Sequence, residues 1–307
     1  MTDALAIIDI EALSSPDAAE RRRVASEVGR ACRDLGFFAI RGHGVADGVV
    51  DRAFAASREF FALPDEVKQS LAVGARGHHR GYVGSVEEAP RAKPDPHFKE
   101  AFSLIWTDET RRPPNVWPPI AGWRETVQSC FDSLLGVGRA LHRAFALDLG
   151  LDERFFDDKI DRPLATLRMF RYPAAWGAPT TTTPVTPSSG IHTDYGNLTL
   201  LAAGDVGRLQ VRRRDGHWIE VPALEGAFVC NVGDCLMRWS NDVYVSTPHR
   251  VLPPQRERYS IVLFVDANPD AIVSALPGCV PTGTVARYAP ISAADHLGQR
   301  FAATYGG

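Results

Sequence analysis

The stretch Gly190-Ile-His-Thr-Asp-Tyr-Gly196, followed by the apolar run Leu198-Thr-Leu-Leu-Ala202, decides how the second half of this chain folds. Glycines bound the first run, and the second run reads as a buried strand. His192 and Asp194 stand two positions apart, and residues at this spacing on a strand point to the same face. The pattern therefore predicts an imidazole and a carboxylate presented side by side to one point.

Short runs rich in β-branched and aromatic residues recur around this stretch. They cover residues 164–172, 197–202, 207–212, 217–221, 227–231, 235–239 and 258–265. Asp215-Gly216 between two of them is a typical hairpin signal. Many short strands at this spacing favour a β-sandwich or barrel.

Helical patterns flank these strands. Apolar residues recur at helical spacing from Val24 to Leu35 and from Trp123 to Leu149, and a closing helix is predicted over 286–304. We therefore expect an α+β fold. Residues 1–120 would form a mixed α/β region that packs on a core made by residues 121–307, within one cooperative unit.

A third residue completes the chemistry that the His-x-Asp pair suggests. His249 lies 55 positions after Asp194, in Ser246-Thr-Pro-His-Arg-Val251. Two histidines and one carboxylate form the ligand set of mononuclear iron(II) oxygenases, which leaves metal positions open. The alternative is a surface His-Asp pair at a strand end without a metal.

An arginine and a serine stand at the head of the last predicted strand. In Arg258-Tyr-Ser260 the two polar side chains share one face, and a guanidinium beside a hydroxyl suits a carboxylate. An arginine that points into a barrel is costly unless an anion occupies the site. The alternative is an arginine that faces solvent.

Composition excludes several classes of protein. The net charge of −3 and the pI near 6.3 give no basic surface for nucleic acid or an anionic membrane. No apolar run approaches the roughly 20 residues of a membrane span. The acidic N-terminus does not resemble a signal peptide, and five scattered cysteines favour a reducing compartment. We expect a cytoplasmic monomer or weak oligomer.

In their order along the chain, these motifs resemble the isopenicillin-N-synthase-like branch of the iron(II)/2-oxoglutarate-dependent dioxygenases. Further segments carry the resemblance over nearly the whole chain: Gly36-Phe-Phe-Ala-Ile-Arg-Gly-His-Gly-Val45, Phe60-Phe-Ala-Leu-Pro64, Arg80-Gly-Tyr82, Lys99-Glu-Ala-Phe102, Phe170-Arg-Tyr-Pro173, Gly207-Arg-Leu-Gln-Val211 and Asn231-Val-Gly-Asp234.

The resemblance implies a double-stranded β-helix (jelly-roll) core with flanking N-terminal helices and a C-terminal helix. It implies that His192, Asp194 and His249 hold Fe(II). It also implies that Arg258 and Ser260 bind the distal carboxylate of the co-substrate 2-oxoglutarate, with Tyr172 assisting. With O2, such an enzyme oxidises an unactivated C–H bond and releases succinate and CO2.

Strand alternation predicts a substrate pocket. If Tyr172 faces inward, so do Phe170 and Arg168, and if Arg258 faces inward, so does Phe264. The phenylalanines would wall the pocket. Arg168 would contact a polar or anionic group of the substrate, or would pair with a protein carboxylate.

Phe102 and Trp239 are further pocket candidates, with core packing as the alternative for both. No catalytic residue beyond the metal centre is predicted. An amino acid, a peptide or a secondary metabolite would suit the pocket as substrate. Two other functions stay open: an iron-dependent four-electron oxidase that does not use 2-oxoglutarate, and a non-catalytic jelly-roll binding protein.

Overall fold

Two β-sheets and a layer of helices make up the computed structural model, which describes residues 5–72, 80–84, 99–108, 114–173, 189–203, 208–222, 224–252 and 256–305. The helices of these ranges are α1 (Ala18–Asp34), α2 (Val49–Phe61), α3 (Asp65–Ser70), α4 (Trp123–Asp148), α5 (Asp234–Trp239) and α6 (Ala293–Tyr305). The strands are β1 (Ala6–Asp9), β2 (Phe37–Arg41), β3 (Gly81–Val83), β4 (Glu100–Ile105), β5 (Thr166–Tyr172), β6 (Ser189–His192), β7 (Leu198–Ala203), β8 (Leu209–Arg212), β9 (Trp218–Glu220), β10 (Phe228–Val232), β11 (His249–Val251), β12 (Arg258–Val265), β13 (Ile272–Val273) and β14 (Ile291–Ser292).

The larger sheet has eight strands in the order β1-β2-β10-β7-β12-β5-β4-β3. Its neighbours are antiparallel except for β1 and β2. The smaller sheet has the order β6-β11-β8-β9 and is antiparallel throughout. This arrangement confirms the predicted α+β fold with a jelly-roll core.

The two faces of the larger sheet bury different partners. One face packs against α1, α2 and α4 through a large apolar cluster that includes Phe60, Trp123 and Phe145. The opposite face contributes Phe37 and Val229 to a second cluster that also contains side chains of the smaller sheet. The space between the two sheets is therefore lined by alternate residues of each strand.

Helix α1 shows how local signals set an element's limits. The side chain of Asp17 caps the helix by accepting a hydrogen bond of 2.8 Å from the backbone N–H of Ala19. The chain leaves the helix at Gly36, which adopts φ +69°. A Cβ at Gly36 would lie 2.0 Å from the carbonyl oxygen of Val245, so glycine is required there for close contact as well. The helix confirms the helical spacing predicted from Val24 to Leu35.

Helix α4 is the predicted long amphipathic helix, and its 26 residues bury one apolar side that includes Leu134 and Leu141. None of the helices within the described ranges is both long enough and apolar enough to cross a membrane.

Two secondary-structure predictions need correction. Residues 235–239 belong to helix α5 and not to a strand. Cys235, Leu236 and Trp239 are buried at helical spacing, which a five-residue apolar run does not distinguish from a strand. The C-terminal helix begins at Ala293, seven positions after the predicted 286.

The N-terminal residues contribute strands to the main sheet. β1 to β4 occupy both ends of its order, with β2 bonded to β10 and β4 bonded to β5. The division near residue 120 stays a prediction.

A buried histidine ties α4 to the segment that follows Gly196. His142 is fully buried; its Nδ1–H donates to the carbonyl of Gly138 at 2.7 Å, and its Nε2 faces the side-chain amide of Asn197 at 3.3 Å. Burial lowers the pKa of His142 to about 4. The neutral imidazole is therefore the form that stabilises the fold.

We predict that His142 makes the protein sensitive to acid. Because its folded-state pKa lies below the ordinary 6.5, stability is fully present above pH 6.5 and is lost as the pH falls from 6.5 towards 4. At pH 5 the loss amounts to about 2 kcal/mol. Urea unfolding at pH 5 and pH 8 should show a smaller pH difference for His142→Leu than for the parent. Equal pH differences for the two proteins would contradict this.

Candidate active site

The two predicted histidines lie opposite each other in the smaller sheet. His192 ends β6, His249 begins β11, and the two are register partners whose ring centroids are 4.2 Å apart. Asp194 lies two positions after the end of β6, and its Oδ1 lies 3.8 Å from Nε2 of His192 and 3.6 Å from Nε2 of His249. One ligand atom from each residue lies within 4.8 Å of the others. The structure therefore brings the three predicted metal ligands together.

Backbone carbonyls orient both imidazoles. Nδ1–H of His192 donates to the carbonyl of Gly190 at 2.7 Å, and Nδ1–H of His249 donates to the carbonyl of Thr247 at 3.2 Å. This fixes the tautomer in which each Nε2 carries a free lone pair. Both lone pairs then face the Asp194 carboxylate, as a shared metal ion requires.

The larger sheet holds the Asp194 carboxylate. Its Oδ2 accepts hydrogen bonds from Oγ1 of Thr199 on β7 at 2.5 Å and from Nδ2 of Asn231 on β10 at 2.7 Å. Burial raises the pKa of Asp194, but the two histidines and the two hydrogen bonds outweigh burial and leave the pKa below its ordinary value. The carboxylate is thus ionised, with Oδ1 available to a metal.

The environment of His192 favours its neutral imidazole form. The surrounding protein removes much of its hydration, and with the nearby His249 imidazole this lowers the pKa of His192 to about 4, although 40% of its side-chain surface stays accessible at the mouth of the site. The imidazole is therefore neutral at physiological pH, which is the form that ligates metals.

The Arg258/Ser260 pair is buried, and the described residues leave several of its polar atoms without a hydrogen bond. Arg258 is 5% exposed and Ser260 is 1% exposed. Nε and Nη1 of Arg258 and Oγ of Ser260 have no partner among the described residues. Tyr172 is the register partner of Arg258, and its ring centroid lies 4.8 Å from the guanidinium carbon.

The pair and the metal ligands border the same space between the two sheets, which we call the cavity. Val251 lies two positions after His249 on the same face of β11. It packs against an apolar cluster that contains Phe170 and Tyr172. At the other end of β12, Phe264 is the register partner of Thr199, which holds Asp194.

Three of the predicted pocket residues face this cavity. Phe170 belongs to the apolar cluster that also contains Tyr172, and Phe264 packs against this cluster. Arg168 shares their face of the sheet. Nε of Arg168 donates to Oγ of Ser103 at 3.1 Å, and its guanidinium carbon lies 4.9 Å from the ring centroid of Phe170.

Phe102 and Trp239 were wrongly assigned to the pocket. Phe102 is the register partner of Met169, not of Phe170, so it lies on the helical face of the sheet, 4.5 Å from the ring of Phe60. Trp239 lies on α5 and packs against Phe156 at 5.3 Å in the same core.

Sequence reasoning missed several side chains that shape the site. Thr199 and Asn231 hold Asp194, and Ser103 positions Arg168. Lys99 lies 4.8 Å from the Phe170 ring centroid, and its charge contributes to lowering the pKa of His192. A signal was present for Asn231, since a buried asparagine inside the apolar run Phe228–Val232 indicates a specific partner.

Two family models match the chain. The model described as non-haem dioxygenase in morphine synthesis, N-terminal, matches residues 5–120. The model of the 2OG-Fe(II) oxygenase superfamily matches residues 166–267, a range that contains the three proposed iron ligands and the Arg258/Ser260 pair.

Known proteins resemble the chain over almost its full length. A 2-oxoglutarate-Fe(II) type oxidoreductase (hxnY) of Emericella nidulans is 31% identical, covering 98% of this chain and 90% of that protein. A homoarginine-6-hydroxylase of Oryza sativa is 34% identical over 88% of this chain and 86% of its own length. The crystal structure of a full-length Neurospora crassa protein in complex with alpha-KG and thymine superposes with a TM-score of 0.89 at 30% identity, covering 98% of this chain and 97% of that one. The chain therefore belongs to the 2OG-Fe(II) oxygenase superfamily, and it is an iron- and 2-oxoglutarate-dependent dioxygenase.

Proposed function

We propose that His192, Asp194 and His249 hold the Fe(II) of this enzyme, and that Arg258, Ser260 and Tyr172 bind its 2-oxoglutarate. One observation carries the proposal: a buried guanidinium, two of whose nitrogens have no hydrogen-bond partner among the described residues, lies on the face of the larger sheet that is turned towards the three clustered ligand atoms. The reaction oxidises a C–H bond of a small molecule.

The ligand set fits ferrous iron. Two imidazoles and one carboxylate on one side of a metal form the facial arrangement of non-haem iron(II) oxygenases, which leaves the other side open. Iron bound there supplies oxygen activation, coupled to the conversion of 2-oxoglutarate to succinate and CO2. The protein's part is to fix the ligands, bind the co-substrate and keep the cavity dry. Phe170 and Phe264 provide the apolar walls.

The Arg258/Ser260 pair fits a carboxylate of the co-substrate. Buried guanidinium nitrogens without partners cost several kcal/mol. Nε and Nη1 of Arg258 have none among the described residues, so an anion that accepts from both would remove this cost. The Ser260 hydroxyl adds a third donor, and Tyr172 covers the guanidinium.

Anaerobic titration tests this assignment. Adding Fe(II) and 2-oxoglutarate together should produce the weak visible charge-transfer band of an iron–keto acid complex, and neither alone should produce it. The Asp194→Ala variant should bind no iron and should not show the band. Absence of the band in the parent protein, despite iron binding, would contradict the proposed 2-oxoglutarate site.

Replacing Arg258 should separate co-substrate binding from stability. Arg258→Met loses the charge that meets the carboxylate, so we expect 2-oxoglutarate affinity to fall by roughly 30-fold or more. The apo variant should unfold at the same temperature or higher, since it loses a buried charge whose Nε and Nη1 have no hydrogen-bond partner among the described residues. Titration calorimetry measures the affinity, and scanning calorimetry measures the unfolding temperature.

Arg143→Met is the matched control, because Arg143 forms an ion pair with Asp157 on the surface of α4. It should leave the affinity for 2-oxoglutarate unchanged. Parental affinity in Arg258→Met would refute the role of Arg258.

We further propose that the substrate is a small molecule with a carboxylate or carbonyl group that contacts Arg168. The guanidinium of Arg168 and the ammonium of Lys99 both lie within 5 Å of the Phe170 ring centroid. Cations in such a position donate charge-assisted hydrogen bonds to a carboxylate or carbonyl oxygen. An amino acid or a secondary metabolite with such a group fits this position. Thymine in the Neurospora crassa complex carries ring carbonyls, and homoarginine carries a carboxylate.

The substrate is sought by succinate release across a panel that contains thymine, homoarginine and small carboxylic acids. For the compound turned over, Arg168→Ala should raise KM roughly 10-fold or more, because a charged hydrogen bond is lost. Succinate release without substrate should stay at the parental level, which shows that the iron and 2-oxoglutarate sites are intact. An unaltered KM would remove Arg168 from the substrate site.

A further inference from the structure

The C-terminal helix α6 contacts the turn that carries two of the proposed iron ligands. We call residues 192–195 the ligand turn. Within it Thr193 lies between the ligands His192 and Asp194, and Tyr195 follows them. Side chains of α6 reach both of these non-ligand positions, although 97 or more residues separate α6 from the turn.

A polar network joins Arg300 to Thr193. Nη2 of Arg300 lies 2.6 Å from Oδ2 of Asp234 and donates to Oγ1 of Thr193 at 3.3 Å. The Thr193 hydroxyl in turn donates to the same Asp234 oxygen at 3.0 Å. The backbone N–H of Asp234 donates to the carbonyl of Asp194 at 2.8 Å. Asp234 thus holds the turn by its side chain and its backbone, and Arg300 fixes Asp234.

A second set of contacts holds Tyr195. Its ring lies edge-on to Phe301 at 5.5 Å, and the Arg300 guanidinium carbon lies 5.0 Å from the same ring centroid. Nε2–H of His296 donates to the carbonyl of Tyr195 at 3.1 Å. Three residues on one side of α6 therefore meet one side of the ligand turn.

We infer that α6 positions the iron ligands, and that Arg300 does so by fixing Thr193 through Asp234. This inference rests on the proposed iron site. A turn between two ligands must keep Nε2 of His192 and Oδ1 of Asp194 a fixed distance apart, and β6 ends at His192, so strand pairing does not hold Asp194. Thr199, Asn231 and the backbone of Asp234 hold Asp194 itself, and the contacts of α6 add a restraint on Thr193 and Tyr195 on either side of it. Arg300 is a positioning residue, since it acts on the ligand turn through Asp234, Thr193 and Tyr195.

Metal affinity tests the inference without turnover. Mn(II), an EPR-visible substitute for Fe(II), is titrated into the apo full-length chain. Outer partners of metal ligands typically contribute 10- to 100-fold to affinity, so Arg300→Met should raise the Mn(II) Kd roughly 10-fold. Arg300→Lys should recover part of the loss, because it restores the ion pair with Asp234.

Arg162→Met is the matched control. Arg162 pairs with Asp270 and has a similarly exposed side chain, 36% against 39% for Arg300, but it makes no described contact with the ligand turn. Its Kd for Mn(II) should equal that of the parent. If Arg300→Met keeps the parental Kd while its melting temperature falls, α6 is only structural and the inference is wrong.

A second variant keeps the test decisive if Arg300→Met does not fold. Thr193→Val removes only the hydroxyl between Arg300 and Asp234, and it should also raise the Mn(II) Kd. Where both single variants fold, the double variant should be no worse than Arg300→Met, because both act through one network. A parental Kd in Thr193→Val would overturn the inference. A parent protein that binds no Mn(II) or Fe(II) would instead refute the proposed iron site.

Discussion

The Asp194 carboxylate joins the two sheets of this protein. Its Oδ1 faces the two imidazoles of the smaller sheet, and its Oδ2 accepts hydrogen bonds from Thr199 and Asn231 of the larger sheet. A buried carboxylate is tolerated only where such partners surround it. The spacing of the sheets, the tautomers of the histidines and the ionisation of Asp194 are therefore set together. Displacing either sheet would leave a buried charge without its partners.

The N-terminal half of the chain also holds the third ligand in place. The segment before His249 is bonded to the end of α1: the backbone N–H of Val245 donates to the carbonyl of Cys32 at 3.0 Å, and Oγ1 of Thr247 donates to the carbonyl of Leu35 at 2.6 Å. The carbonyl of Thr247 then orients the His249 ring. A site whose ligands lie in the second half thus depends on residues more than 200 positions earlier.

The spacing of residues along the sequence predicted the clustered metal-binding side chains better than it predicted the side chains around them. His192 and Asp194 were found because their separation alone brings them together, and alternation along β5 correctly predicted that Phe170 shares a face with Tyr172. Thr199 and Asn231 meet Asp194 through the register between β7 and β10, which alternation within one strand does not determine. The predicted pocket position of Phe102 was wrong for the same reason, because one step of register against β5 decides which face of the sheet its side chain occupies. The predicted pocket position of Trp239 was wrong because a short buried run of residues fits a helix and a strand equally well.

Arg171 and Arg258 lie on the paired strands β5 and β12 but differ in their charged partners. Arg171 on β5 points to the helical face, where Glu100 at 2.7 Å and Glu257 at 2.8 Å neutralise it. Arg258 on β12 points into the cavity, and its Nε and Nη1 have no partner among the described residues. Glu257 precedes Arg258 directly, yet strand alternation turns its carboxylate to the other face, towards Arg171. Arg171 thus receives two carboxylates, whereas the described part of the chain gives Arg258 none, and this contrast supports the proposal that a ligand carboxylate binds Arg258.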